Sequence, residues 1–297
     1  MKRASLAGIA IVTALAGVWA TLFWLRLPAR MPTDSDYRRV NAFIESHERP
    51  GDIIVVSPHW AQDGRQFLTA VPVMAGYHLS TDVYPGTKRQ WLVALPDLPR
   101  FSLETSRRAL AARGKSEGGR RIGHLWVEAF DIAGPPVDYS FDDAVPGATV
   151  RIVGRRSVVC RNLGNGKHQC PEGAWNYVRA GWHEVHYEPF HCIWAHPVND
   201  GTLEITFPNV PIAGTLRGRA AFVDDAPSFK QGAPVLVGVE AGGRSIANFR
   251  FDNRVGLQDF ESPLPSGLPP TGPVTFSVST PNNAVRHFCF DAWLGPD

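Results

Sequence analysis

The sequence predicts three consecutive parts: an N-terminal transmembrane helix, a small layered α/β domain, and an all-β jelly-roll or sandwich domain. Three observations carry this. Residues 4–25 contain no charged side chain. Residues 31–134 alternate amphipathic stretches with β-branched runs, the rhythm of an α/β layer. From residue 137 onward the pattern changes to short period-two runs separated by Gly, Pro, Asn and Asp clusters, as in sandwiches and jelly rolls. Bulk composition agrees: 44% of residues are apolar, enough for real cores, and 28 Gly with 25 Pro favour turns over long helices. A net charge of +2, with Arg and Lys evenly scattered, argues against a nucleic-acid binder.

The first segment, ASLAGIAIVTALAGVWATLFWL, follows Lys2 and Arg3. As a helix it would span about 33 Å at a rise of about 1.5 Å per residue, enough for a bilayer core of about 30 Å. A cleaved signal peptide is the competing reading, because Ala14-Leu15-Ala16 resembles a cleavage site. The apolar run continues past it through Trp19, Phe23, Trp24 and Leu25, with the aromatics where an interfacial belt would place them, and this favours an uncleaved anchor. Arg26 and Arg30 on the far side leave orientation to the cysteines.

Within residues 31–134, DSDYRRVNAFIESH puts Tyr37, Val40, Phe43 and Ile44 on one helical face, with Asp34 or Ser35 as the cap. Pro50-Gly51 stops it. DIIVVSP (52–58) reads as a buried parallel strand, QWLVALPD (90–97) as a second, SLETSRRALAAR (102–113) as a helix and GHLWVEAF (123–130) as a third strand. Gly134-Pro135-Pro136 ends the pattern and marks the domain boundary. In residues 137–297, TVRIVGRRSVVC, TLEITF (202–207), LRGRAAFVDD (216–225), PVLVGVE (234–240), SIANFRF (245–251), PVTFSVST (273–280) and RHFCFDAWL (286–294) are β runs, and no helix is expected.

The four cysteines are Cys160, Cys170, Cys192 and Cys289. The first two bracket RNLGNGKHQ, whose Asn165-Gly166 is a tight-turn signal, so they suit a disulfide across a hairpin. Cys192 and Cys289 would then form a long-range staple. An even count beside an export-type N-terminus points to an oxidising, extracytoplasmic compartment; four buried thiols in a cytoplasmic protein is the alternative.

The densest chemistry lies in GWHEVHYEPFHCIWAHP (181–197), with four histidines, a cysteine, two tryptophans and a tyrosine. On a strand His183 and His186 point to opposite faces, as do His191 and His196, and HExH is not the HExxH that sets two zinc ligands one helical turn apart. In the plainest reading Cys192 and Trp194 share an inward face while the histidines form a polar rim, with Tyr187-Glu188-Pro189-Phe190 turning the chain. In the functional reading Trp175, Tyr177, Trp182, His183, His186, Tyr187 and Glu188 form a sugar surface, rings stacking on aromatic faces while polar groups fix hydroxyls. A secondary candidate pocket is Ser57, His59, Trp60 and Asp97, beyond the carboxyl end of a strand, with Asp63 and Arg65 nearby. No G-x-S-x-G elbow supports a serine nucleophile there. Asp224-Asp225 reads as a turn, and Gly242-Gly243 as a hairpin. No catalytic residue, metal ligand or cofactor is assigned.

Two resemblances extend this reading. Residues Tyr37 to about Phe130 (DYRRVNAFIESHERPGDIIVVSPHW, RQWLVALPD, GHLWVEAF) resemble the soluble extracytoplasmic domain that ends many multi-spanning glycosyltransferases of the dolichyl-phosphate-mannose or aminoarabinose transferase type. One hydrophobic segment stands where that family has many, so the resemblance implies fold and address and not glycosyl transfer; Asp34 and Asp36 read as helix-capping residues. The second domain (LRGRAAFVDD, PVLVGVEAGG, SIANFRFDN, PVTFSVST, RHFCFDAWL) is similar to galactose-binding-like jelly rolls, the carbohydrate-binding modules appended to glycosidases. The expectation is a single-span periplasmic protein that binds a cell-envelope glycan or glycolipid head group without catalysis, accessory to envelope glycosylation. The alternatives are a glycosyltransferase-related enzyme, a metal-dependent hydrolase using the histidines, and a scaffold docking a multi-spanning membrane protein.

Overall fold

The computed structural model describes residues 2–27, 31–58, 61–75, 87–96, 103–132, 134–185, 188–223, 226–229 and 232–297, with residues 2–10, 62–63, 75 and 188–189 described by backbone alone. The described residues form two compact units, the first ending at Ile132 and the second covering 134–297. Ahead of the first core runs α1 (Lys2–Arg26). Its side chains are described from Ile11, and Ile11, Val12, Leu15, Val18, Trp19, Trp24 and Leu25 are all exposed. Among the described residues no helix is long and apolar enough to cross a membrane.

The first unit is an α/β layer. Helix α2 (Asp34–Glu45) buries Tyr37, Val40 and Ile44, the face its sequence spacing predicts. Its cap is Thr33, not Asp34 or Ser35: the Thr33 hydroxyl accepts from the Asp36 amide while the Asp36 carboxylate accepts from the Thr33 amide. This reciprocal box satisfies two otherwise orphaned donors, which neither neighbouring residue could do. Strands β1 (Asp52–Ser57), β2 (Val73–Ala75), β3 (Arg89–Ala94), β4 (Lys115–Ile122) and β5 (Leu125–Asp131) form one sheet in the order β2-β1-β3-β5-β4. The expected parallel pairing of β1 and β3 is present, Ile54 opposite Trp91, and helix α3 (Leu103–Ala111) lies where its sequence places it. Sequence patterning does not reveal β4, because KSEGGRRI is polar and almost wholly exposed. It is an edge strand held by the hairpin to β5, with a register shift between Ser116 and Gly119.

The second unit is a two-sheet sandwich. Its strands are β6 (Tyr139–Ser140), β7 (Thr149–Val153), β8 (Ser157–Val159), β9 (Arg161–Asn162), β10 (His168–Gln169), β11 (Tyr177–Val185), β12 (Glu188–Ala195), β13 (Thr202–Pro211), β14 (Thr215–Phe222), β15 (Val235–Ala241), β16 (Arg244–Phe251), β17 (Gln258–Pro263), β18 (Thr271–Ser279) and β19 (Phe288–Gly295). One sheet runs β17-β14-β19-β12-β11-β10-β9 with β6 added to β19; the other runs β16-β15-β18-β13-β7-β8. Alternate residues of both sheets share one apolar core, with Phe276 and Phe290 at 5.2 Å bridging between them. The predicted runs form these strands, and the Gly242-Gly243 turn joins β15 to β16 with both φ angles positive, the conformation that glycine adopts without strain.

Two expectations fail here. One helical turn, α4 (Phe141–Ala144), exists beyond residue 137: the Ser140 hydroxyl accepts from the Asp143 amide, and Phe141 is driven into the core against Phe207 and Phe276. Glu188, Pro189 and Phe190 do not turn the chain either: β12 already begins at Glu188, which pairs with Val185 of β11, and runs on through Pro189 and Phe190.

Both disulfides are formed as expected, Cys160–Cys170 and Cys192–Cys289. The first spans the turn containing Gly166, and the second cross-links the adjacent strands β12 and β19.

Candidate functional site

Strict alternation along β11 and β12 decides what the aromatic stretch can do. Val178 pairs with Ala195 and Ala180 with Ile193 on the face turned toward the other sheet, and Trp182 pairs with His191 further along that same face. Tyr177, Gly181, His183 and Val185 face the other way, together with Phe190, Cys192 and Trp194. Cys192 and Trp194 thus share a face as expected, but it is not the face of the main core. They belong to a second apolar cluster with Phe190, Val223 and Cys289 on the opposite side of the sheet.

On that outer face Trp194 is the hub, only 7% exposed. Tyr177 stacks on it at 5.7 Å and 15°, and His183 at 5.1 Å and 26°. The Lys167 ammonium lies over the Tyr177 ring at 4.4 Å. The Trp194 indole N–H donates to the Trp175 carbonyl at 3.4 Å, and the Trp175 ring lies 4.6 Å from His196. Trp175 itself is 41% exposed. Gly181 contributes no side chain between His183 and the Arg179 row, and a Cβ there would enter open space, so the shelf has a notch above it. Burial pushes the His196 pKa down to about 4, only partly opposed by its hydrogen bond to the Pro197 carbonyl. His196 is therefore a neutral ring at physiological pH.

On the inner face, Trp182 is 45% exposed because it lies beyond the reach of the shared core, and its ring meets His191 edge-on at 5.1 Å. His191 Nδ1 is 3.2 Å from an oxygen of Asp142 on α4. Burial alone would lower the His191 pKa, but the hydrogen bond and charge of Asp142 outweigh it and raise it. Burial likewise pushes Asp142 up to about 7 against the opposing pull of His191.

The seven residues read from the sequence as one sugar surface therefore separate. Trp175, Tyr177 and His183 gather around Trp194, whereas Trp182 lies on the other face. His186 and Tyr187 lie outside the described residues, and Glu188 is described by backbone alone. Of the secondary pocket, Ser57 hydrogen-bonds the Ser106 hydroxyl at 2.7 Å, while His59, Trp60 and Asp97 lie outside the described residues, as do Asp224 and Asp225. Arg65 reaches the Val73 carbonyl; the Asp63 side chain is not described. Among the described residues no group of three or more His, Cys, Asp or Glu side chains could hold a metal. The sequence reading missed Asp142 and His196 as neighbours of the aromatics. Asp142 comes from an element 40 or more residues away, with no spacing signal to betray it.

No family model matches the chain, and no curated protein matches it. Among solved structures, it is similar to CBM51 from Clostridium perfringens GH95 in complex with methyl-galactose, at 9% identity and a TM-score of 0.27 over 39% of this chain and 80% of that one. It is similar to the M60 catalytic domain with the CBM51-1 and CBM51-2 domains of Clostridium perfringens ZmpB, at 10% identity and a TM-score of 0.36 over 67% of this chain and 20% of that one. A third is TmCBM27, a mannan-recognising carbohydrate-binding module, at 10% identity and a TM-score of 0.27, covering 44% and 85%. Likeness at this level assigns neither family nor function, and the sandwich architecture rests on the chain's own sheets.

Proposed function

We propose that the second unit binds a glycan or glycolipid head group without catalysis, through the outer face of β11 and β12. The observation that carries this reading is the Trp175 indole, 41% exposed beside the stacked Tyr177, Trp194 and His183 rings. An exposed indole gives a sugar's C–H face something to stack on, and the buried rings and the Cys192–Cys289 bond behind it hold the shelf rigid. His183 and Lys167 at the margin supply hydrogen-bond donors for hydroxyls.

Anchoring through α1 to a membrane, with the sandwich on the extracytoplasmic side, belongs to the same proposal. It is supported by the exposed, predominantly apolar surface of the helix between Ile11 and Leu25 and by two disulfides, which persist in oxidising compartments. An accessory role in envelope glycosylation, alongside a multi-spanning partner, follows from this address. The test is a glycan array probed with the full chain in detergent, followed by calorimetric titration of any hit against Trp175→Ala. Retained secondary structure with at least tenfold weaker binding supports the reading; unchanged affinity of the folded variant sinks it.

A further inference from the structure

A second cluster on the sandwich is unexplained by the shelf around Trp194. Trp182 and His191 face each other across β11 and β12, on the sheet face opposite Trp194. Three features set this pair apart from ordinary cross-strand packing. The Trp182 ring is 45% exposed although it occupies the face that a few residues earlier is fully buried. His191 is held in place by Asp142, whose side chain is 9% exposed. The other oxygen of Asp142 is buried with no hydrogen-bond partner among the described residues, so His191 is the side-chain partner that this carboxyl serves.

Nδ1 of the ring is turned to Asp142, and the Trp182 indole meets the same imidazole edge-on at 5.1 Å. An oriented imidazole beside an exposed indole is a minimal sugar subsite, the indole taking the C–H face of a pyranose and the imidazole one of its hydroxyls. We propose that Trp182 and His191, with Asp142 as the positioning residue, form a second carbohydrate subsite for a neutral pyranose on the sheet face opposite the first. Neutrality follows from Glu184, which follows Trp182 by two on the same strand face, is exposed, and disfavours an acidic sugar. The proposal rests on the glycan-binding reading, but it places a separate contact where that reading has none.

The charged groups acting on His191 are Asp142 in direct contact and Asp143 and Asp291 at longer range, the last neutralised by Arg219. Substituting Asp142→Asn is therefore expected to lower the His191 pKa, a shift that loss of packing alone would not produce in a folded variant.

The experiment is NMR of the full chain in detergent, following the imidazole signals of His191, identified with His191→Gln, and the indole signals of Trp182 and Trp175. The probes are the methyl glycosides of glucose, galactose, mannose and N-acetylglucosamine, with glucuronic acid as the charged control. The expected result is that one or more neutral glycosides move His191 and Trp182 together and saturably. Trp182→Ala and His191→Gln should each weaken that response at least tenfold, and Trp175→Ala should leave it intact. If glycosides move Trp175 while His191 and Trp182 stay still, the second subsite is wrong and the first stands. If only glucuronic acid moves His191, the stated ligand class is wrong. If nothing moves any of the three, both proposals fall.

Discussion

Asp142 carries the clearest electrostatic signature at the scale of single residues. Its folded pKa is raised to about 7 by burial, whereas the unfolded chain releases this proton near the ordinary value of about 4. Between those values the folded state holds the extra proton, so stability falls as pH rises, by at most about 1.4 kcal/mol per unit. His191 acts in the same direction: its raised pKa adds stability that is full below the unfolded value and is lost as pH rises through the folded one. His196, lowered to about 4, opposes them, losing its contribution as pH falls from about 6.5 toward 4. Asp142→Asn is thus expected to flatten the decline of the second unit's Tm across about pH 4–7, and an unaltered Tm profile would refute the assignment. In the first unit, Asp52 is fully buried and accepts from Arg89 and from the Trp91 indole at 2.8 Å. Asp52→Ala leaves a buried guanidinium unbalanced by its main partner, and urea unfolding should show a loss of about 3–5 kcal/mol.

Among the elements, α2 depends on its cap. Thr33→Ala removes one acceptor of the capping box and should cost about 1 kcal/mol, whereas Thr33→Ser should cost little, both read from denaturant midpoints. The two disulfides differ in what they constrain. Cys160–Cys170 closes a separation of 10 residues and Cys192–Cys289 one of 97. Chain entropy then predicts a larger loss for the Cys192→Ala/Cys289→Ala pair, about 4–5 kcal/mol, than for the Cys160→Ala/Cys170→Ala pair, about 2–3 kcal/mol. Equal losses would mean that strain or packing, not loop closure, governs the staples. The hairpin β11–β12 shows why period matters more than composition. Trp182 and His183 are adjacent in sequence and both suited to a sugar, yet one residue of offset sends them to opposite sides of the sheet.

At the scale of the whole molecule, each unit has its own apolar core, one around Ile54, Trp91 and Val127 and one around Phe141, Phe207 and Phe276. Both disulfides lie in the second unit, so reduction is expected to lower the calorimetric transition of that unit and leave the first unit's transition in place. Membrane attachment has an independent check: the full chain should stay with membranes through alkaline carbonate washing, and a chain beginning at Met31 should be released.

Sequence alone determined the succession of an α/β unit and a β-sandwich, because the periods of 3.6 and 2 are local consequences of burying one face of a helix or strand. It also suggested both disulfides, since the tight turn between Cys160 and Cys170 suits a local bridge and leaves Cys192 and Cys289 for each other, but four free thiols stayed open and the structure decided the connectivity. It did not reveal β4, whose polar side chains never alternate, or α4, which is too short to show a period and exists because Phe141 plugs the core. The site followed the same division. Its materials were legible as a run of aromatics and imidazoles, but the side of the sheet each residue occupies depends on a register fixed by pairing between distant strands. Trp194 became the hub of one face because His183 and Tyr177 converge on it only when β11 and β12 are paired. Asp142 met His191 only because core packing docks α4 beside β12. Such contacts are long-range, so tertiary structure alone could decide them.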